Sequence, residues 1–205
     1  MRGDLLPLFP LQLVLFPRTP LPLHIFEERY KEMIGECLAG GLEFGVVLAQ
    51  GKGILRAGCT ASIESVINRY DDGRLDILTN GRRRFQIGSV DTERIFLRAE
   101  VEYFDDIEDG LIDLEHLRRA KRANSELRSL SSSEEPEPDL QDPQASFQLA
   151  QISPDLEFRQ LLLAMRSEPD RLSRVADHLE RLLVRQRMQE RMRNTARTNG
   201  HGKVS

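Results

Sequence analysis

The spacing of apolar residues in this chain changes period several times, and each change marks an element. Leu5–Tyr30 is apolar but punctuated by Pro7, Pro10, Pro17, Pro20 and Pro22. Proline lacks a backbone donor and fixes φ, so no helix runs through this stretch, which reads as extended strand and tight turn. At Glu27 the spacing becomes helical. Phe26, Tyr30, Met33, Ile34, Cys37 and Leu38 recur at three- and four-residue intervals, and Gly40-Gly41 ends the run. Phe44–Ala49 reads as a short buried strand, and the glycine-rich Gly51–Gly58 as a loop or bulged connection.

The next segment alternates. Cys59, Ala61, Ile63, Ser65 and Ile67 point one way, and Thr60, Ser62, Glu64 and Asn68 the other. That is the pattern of a half-buried antiparallel strand. Asp72-Gly73 supplies a hairpin turn, since both residue types tolerate the positive φ that such turns need. Leu75, Ile77 and Thr79 lead to a second turn signal, Asn80-Gly81, and Phe85, Ile87 and Val90 form a further strand. Ile95, Leu97, Ala99, Val101 and Tyr103 then alternate with charged residues. Short strands joined by tight turns predict a small barrel or a highly curved sheet, with the proline-rich segment adding edge strands.

Beyond the acidic boundary Asp105–Asp109 the pattern turns helical. A helix is predicted from Leu111 to Leu130, then an acidic, proline-containing mobile loop over 131–144. Ser153-Pro154 reads as an N-cap with proline at the first helical position, and Ser167 with Asp170 as a capping box. Leu172, Val175, Ala176, Leu179, Leu182 and Leu183 form one narrow stripe that dissolves after Val184, and the end reads as frayed. The division expected is a barrel domain over 1–106, a helical domain over 107–196 and a flexible tail over 197–205.

Composition removes several functions. Of 205 residues, 29 are basic and 33 acidic, and a net charge of −4 argues against a dedicated nucleic-acid binder. Cys37 and Cys59 cannot frame disulfides; both lie on apolar faces and read as buried free thiols, which suits a reducing cytoplasm. The N-terminal stretch is broken by prolines and is no signal peptide, and no run is long and apolar enough for a membrane helix. The histidines 24, 116, 178 and 201 have no second ligand at metal spacing, so neither metal nor cofactor is expected. His24 in the PLHIF strand reads as a hydrogen-bonded structural histidine.

The segments that combine into a pattern are LPLFPLQLVLFPRTPLPLHIFEERYKEMI, FGVV at Phe44–Val47, DGRLDILTNGRRRF at Asp72–Phe85, FQLAQISPDLEFRQLLLA, and Arg171-Leu172. In this order, from Leu5 to Val184, they resemble the Lon N-terminal domain, the substrate-recognition domain of ATP-dependent Lon proteases. The similarity is greatest to stand-alone bacterial proteins carrying that domain alone. The resemblance implies an α+β fold: a PUA-like pseudo-barrel of about six mostly antiparallel strands with one helix, followed by a C-terminal helical bundle. One departure stands out. The family usually has glycine after Phe-Pro, whereas Arg18-Thr19 follows Pro17 here, and arginine implies a different turn geometry.

The catalytic parts of a Lon protease are not in this sequence. There is no G-x-x-x-x-G-K-[ST] phosphate loop, and no protease domain with its serine–lysine dyad. Lys52, Lys121 and Lys203 fall in a loop, a charged helix and the tail, poor places to make a lysine a base. The expectation is a non-enzymatic module that recognises unfolded or exposed polypeptide segments, then sequesters them or passes them to a protease or chaperone. Of the residues that match the family's recognition helix, Glu28 and Arg29 are the candidate contacts. The ordinary alternative is that acidic residues there favour the helix dipole. Arg82-Arg83-Arg84 motivates an RNA-binding rival; the plainer reading turns Arg82 and Arg84 to solvent and pairs Arg83 with an acidic neighbour, leaving Tyr70 and Phe85 in the core. A residual peptidase is the second rival, and a small ligand in a barrel groove a third. The apolar stretch Leu11–Ile25 is expected to leave some surface open to a chain it captures.

Overall fold

A computed structural model describes residues 5–108, 110–131 and 137–199, with 194–199 described by backbone alone. The elements are β1 Leu6–Leu11, β2 Pro20–Ile25, α1 Glu28–Gly40, β3 Phe44–Gln50, β4 Gly53–Arg69, β5 Leu75–Asp91, β6 Arg98–Tyr103, α2 Leu114–Ser131, α3 Ala145–Ala150, α4 Leu156–Ala164 and α5 Glu168–Asn199. The chain divides by its contacts into two units. The first is Met1–Ile107 with Asp155–Arg166, and the second is Glu108–Pro154 with Ser167–Ser205.

The first unit is the pseudo-barrel. β1 runs parallel to β3 and antiparallel to β6; β3–β4, β4–β5 and β5–β6 are antiparallel. These pairings close a ring, β1-β3-β4-β5-β6, with β2 added to the first half of β5 at Leu75–Asn80. β5 can serve three neighbours because it is 17 residues long. Leu6, Leu8, Val47, Phe85, Ile87 and Ala99 fill the interior. α1 buries Tyr30, Met33, Ile34 and Cys37, the face its spacing predicts, while Phe26 just before it is exposed.

Several expectations are corrected. Residues 53–58 are not a loop but the start of β4, and the bulged alternative holds, since the register with β3 shifts between Val47 and Ala49. Asn80-Gly81 is not a turn, because β5 passes straight through it. The alternation along β4 breaks after Ile63 and again after Val66, where two residues of β4 oppose one of β5. These bulges insert Glu64 and Ile67 and turn Ile67 outward. Asp72-Gly73 does make the hairpin turn, with Gly73 at φ 81°. Arg18 takes φ 57°, the left-handed conformation a glycine would supply, so the departure in sequence leaves the turn glycine-like.

α4 belongs with the barrel, contrary to a single cut at 106. Gln160 Nε2 donates to the Ala57 carbonyl (2.9 Å) and Arg159 to that of Val14 (2.8 Å). Its N-cap is Asp155, whose carboxylate accepts from Phe158 N–H, not Ser153 as the sequence suggested.

In the second unit α2 packs Ala120, Ala123 and Leu127, and α5 packs Leu172, Val175, Ala176, Leu179 and Leu183. Ser167 Oγ accepts the Asp170 amide, the predicted capping contact. Arg171 is fully buried. Its Nε donates to Ser146 Oγ (3.0 Å), its Nη2 to Glu168 (2.6 Å), and its guanidinium lies over Phe147. Burial pushes the Glu168 carboxyl above its ordinary pKa despite these partners. α2 starts at Leu114 rather than Leu111, and α5 continues past Val184 to Asn199, where a frayed end was expected. Of the loop predicted over 131–144, residues 132–136 lie outside the described residues, as do 200–205 of the tail.

Candidate functional site

Three elements of the barrel meet around Asp76: the end of β2, the far half of β4 and the start of β5. In the ladder His24 lies opposite Asp76, and Asp76 opposite Asn68. The three side chains meet on the outer face, because Leu75 and Ile77 on either side of Asp76 point into the core. His24 Nδ1 is hydrogen-bonded to Asp76 Oδ1 at 2.6 Å. Asn68 Nδ2 and Tyr70 Oη donate to Asp76 Oδ2 at 3.0 and 2.7 Å. With donors on both oxygens, led by His24, the carboxyl is held down at about 2. The Tyr70 phenol, donating to Asp76, is pushed above its ordinary value by that bond.

This carboxylate hub orients an aromatic surface. The His24 ring stacks on Phe26 with centroids 5.9 Å apart and meets Tyr70 edge-on at 6.0 Å. The Arg74 guanidinium lies over the Tyr70 ring at 4.8 Å. Phe26 is 59% exposed, Ile67 57% and Tyr70 39%. Exposed rings joined through His24, with Ile67 exposed one residue before Asn68, are the informative kind of exposure. Tyr70 is therefore a surface residue and not part of the core, while Phe85 is buried as expected. His24 is hydrogen-bonded as predicted, but on this exposed face.

The candidate contacts Glu28 and Arg29 lie on the first turn of α1, beside this surface. Lys31 Nζ joins Glu28 (2.8 Å) to the Asp72 carbonyl (2.9 Å) at the tip of the β4–β5 hairpin. The Glu28 carboxylate remains exposed. Arg29 pairs with Glu27 and lies over the Tyr30 ring at 4.7 Å. The residues that sequence reasoning missed are Phe26, Ile67 and Tyr70. Spacing alone places Phe26 on the buried helix face, Tyr70 in the core, and Ile67 on the inward side of an unbroken strand. Only the bulges after Ile63 and Val66 reveal the true face of Ile67, and nothing in residue type announces them.

The basic run is not a strip of three cations. Arg84 is 2% exposed, where its guanidinium donates to the Leu163 and Met165 carbonyls and pairs with Asp106. Arg82, rather than Arg83, has the acidic neighbour, Glu43 at 3.9 Å, and Arg83 covers the Tyr103 ring at 4.3 Å. Of the run, only Arg84 holds the α4 segment, while Arg82 and Arg83 stay exposed.

Among the described residues no group of three His, Cys, Asp or Glu could hold a metal ion. His116 approaches Asp113, and His178 Nε2 meets Ser153 Oγ at 2.8 Å, a partner not foreseen from sequence. Ser153 is 1% exposed, so this hydroxyl is closed to a substrate carbonyl. Both cysteines are buried free thiols, as expected. No helix among the described residues is long and apolar enough to cross a membrane.

The family described as the ATP-dependent protease La (LON) substrate-binding domain matches residues 5–181. Among solved structures, the Lon N-terminal domain protein from Xanthomonas campestris is similar over 84% of this chain and 96% of its own, at 26% identity and a TM-score of 0.67. The N-terminal domain of Mycobacterium avium complex Lon protease shares the fold over 86% of this chain and 98% of its own, at 16% identity and a TM-score of 0.53.

Proposed function

This chain belongs to the family of Lon substrate-binding domains, and on that premise we propose that it captures unfolded or exposed polypeptide segments on the Phe26–His24–Tyr70 face, without cleaving them. The observation that carries the reading is the exposure of Phe26 beside His24 and Tyr70, held in place by the Asp76 hub. Rings fixed by hydrogen bonds and stacking lose little side-chain entropy on binding, so they grip apolar residues of many sequences at low ordering cost. Glu28 and Arg29 form the charged rim and choose among substrates by their flanking charges. The captured segment is then held, or passed to a protease or chaperone. The reading sets the protein in the cytoplasm, which suits its two reduced thiols.

Fluorescence anisotropy with labelled casein, an unstructured protein, tests this against native lysozyme as the folded control. Casein is expected to bind and lysozyme not. Replacing Phe26 and Tyr70 by Ser should weaken casein binding about tenfold or more, the scale of losing aromatic anchors. Charge reversal by Glu28→Lys with Arg29→Glu should change preference between acidic and basic peptides. Equal binding of casein by wild type and the Phe26/Tyr70 variant would remove this face as the site. Cleavage of casein in gel assays would overturn the non-enzymatic part.

A further inference from the structure

The ring of strands leaves the far half of β4 open on one side. β3 pairs with β4 only as far as Ala61, while β4 runs on to Arg69. Among the described residues no strand covers residues 62–69 on the side away from β5. The backbone groups that face outward there can be identified from their neighbours. The Gly81 carbonyl accepts from Arg18 N–H and the Gly81 amide donates to Thr19, so Gly81 is turned toward the β2 side. By alternation Thr79, Ile77 and Leu75 share that orientation, and none of them spends its backbone groups on β4. Their opposites on β4 are Ile63, Val66 and Arg69. Those three residues therefore direct their N–H and C=O groups away from β5. The Tyr70 amide donates to the Arg74 carbonyl, which independently turns Arg69 outward.

The two bulges matter here. Ile63, Val66 and Arg69 are three apart in sequence, yet they stand opposite residues two apart on β5. Their outward groups thus repeat at the interval of a regular strand, and an extended chain can match all three. The open edge of β2 is defended: Pro20 and Pro22 have no N–H to offer. The β4 edge carries no proline, and reads Ser-Ile-Glu-Ser-Val-Ile-Asn-Arg. Ile67 on this edge is exposed, and the edge ends next to Tyr70 of the aromatic face.

We propose that this edge takes up an extended segment of the polypeptide substrate as an added β-strand, hydrogen-bonded to Ile63, Val66 and Arg69. The inference rests on the polypeptide-binding reading and supplies its mode. Main-chain hydrogen bonds ignore side-chain identity, so strand addition suits a module that must accept many sequences. The adjoining apolar residues then favour segments with apolar side chains on one face.

Casein binding to wild type is followed by anisotropy, and amide hydrogen exchange is read residue by residue by NMR. On saturation the amides of Ile63, Val66 and Arg69 are expected to slow in exchange. Val66→Pro deletes one outward donor at an edge position where proline is tolerated, and should weaken binding about tenfold, the effect of one or two hydrogen bonds. Arg69→Pro is the second variant should Val66→Pro fail to fold by circular dichroism. Casein binding with unchanged exchange at the three amides and undiminished affinity in the proline variants overturns strand addition while leaving the aromatic face standing. Absence of casein binding by wild type overturns both. A dimer in light scattering that Val66→Pro dissolves also overturns it, since the edge would then be occupied by a second copy.

Discussion

A Cβ placed on Gly81 would stand 2.1 Å from the carbonyl oxygen of Phe16. The turn after β1 thus rests directly on the backbone of β5, and two hydrogen bonds, Arg18 N–H to Gly81 (2.7 Å) and Gly81 N–H to Thr19 (2.9 Å), lock the contact. The obstacle is backbone on both sides and cannot rotate away. Gly81→Ala should cost about 3 kcal/mol, the upper range for overpacking. Urea unfolding followed by circular dichroism measures it. A loss under about 1 kcal/mol would mean the turn lifts off without consequence.

Arg18 forms the other half of this contact, at φ 57°. A left-handed conformation costs a non-glycine residue roughly 1–2 kcal/mol, and glycine escapes that cost while losing some entropy on folding. Arg18→Gly is therefore expected to raise stability by about 0.5–1 kcal/mol in the same urea experiment. A decrease would show that contacts of the arginine side chain outweigh its backbone strain.

The barrel was legible wherever one residue's environment followed from its own spacing. Tyr30, Met33, Ile34 and Cys37 lie on one side of α1 because helical period alone puts them there. Gly81 was misread because a glycine needed for close approach looks, in sequence, like a glycine needed for a turn. Ile67 was misread because a bulge shifts every later side chain to the other face and is set by the partner strand. Arg84 was expected in solvent, yet carbonyls from Leu163 and Met165, some eighty positions away in sequence, create its buried site. The candidate face suffered most, since it is assembled from β2, β4 and β5 and no local pattern records that meeting.

Asp76 makes part of the stability of this face depend on pH. Its folded pKa, about 2, lies below its ordinary value of 3.8. A depressed carboxyl contributes stability that is fully present above the unfolded pKa and is lost as pH falls through the folded one. Asp76→Asn should thus be less stable than wild type at neutral pH. The gap should narrow as pH drops from about 4 toward 2, as the wild-type carboxyl takes up its proton. Urea midpoints at a series of pH values read this directly. A gap that stays constant across that window would mean the bonds to His24, Asn68 and Tyr70 matter by shape and not by charge.

The two thiols report on different depths of the fold. Burial pushes Cys59 up to about 12 and Cys37 to about 11, so neither supplies thiolate at neutral pH and neither reacts while its surroundings stay closed. Their routes to exposure differ. Cys59 lies in β4 between β3 and β5, paired on both sides, and both neighbours must separate before a reagent reaches it. Cys37 lies in the last turn of α1, where fraying of one helix end suffices. Labelling with iodoacetamide at pH 8 in rising urea, read by peptide mass spectrometry, should modify Cys37 below the unfolding midpoint. Cys59 should follow the global transition. Early modification of Cys59 would mean that β4 detaches from β3 within the folded protein, and that the barrel opens at that seam.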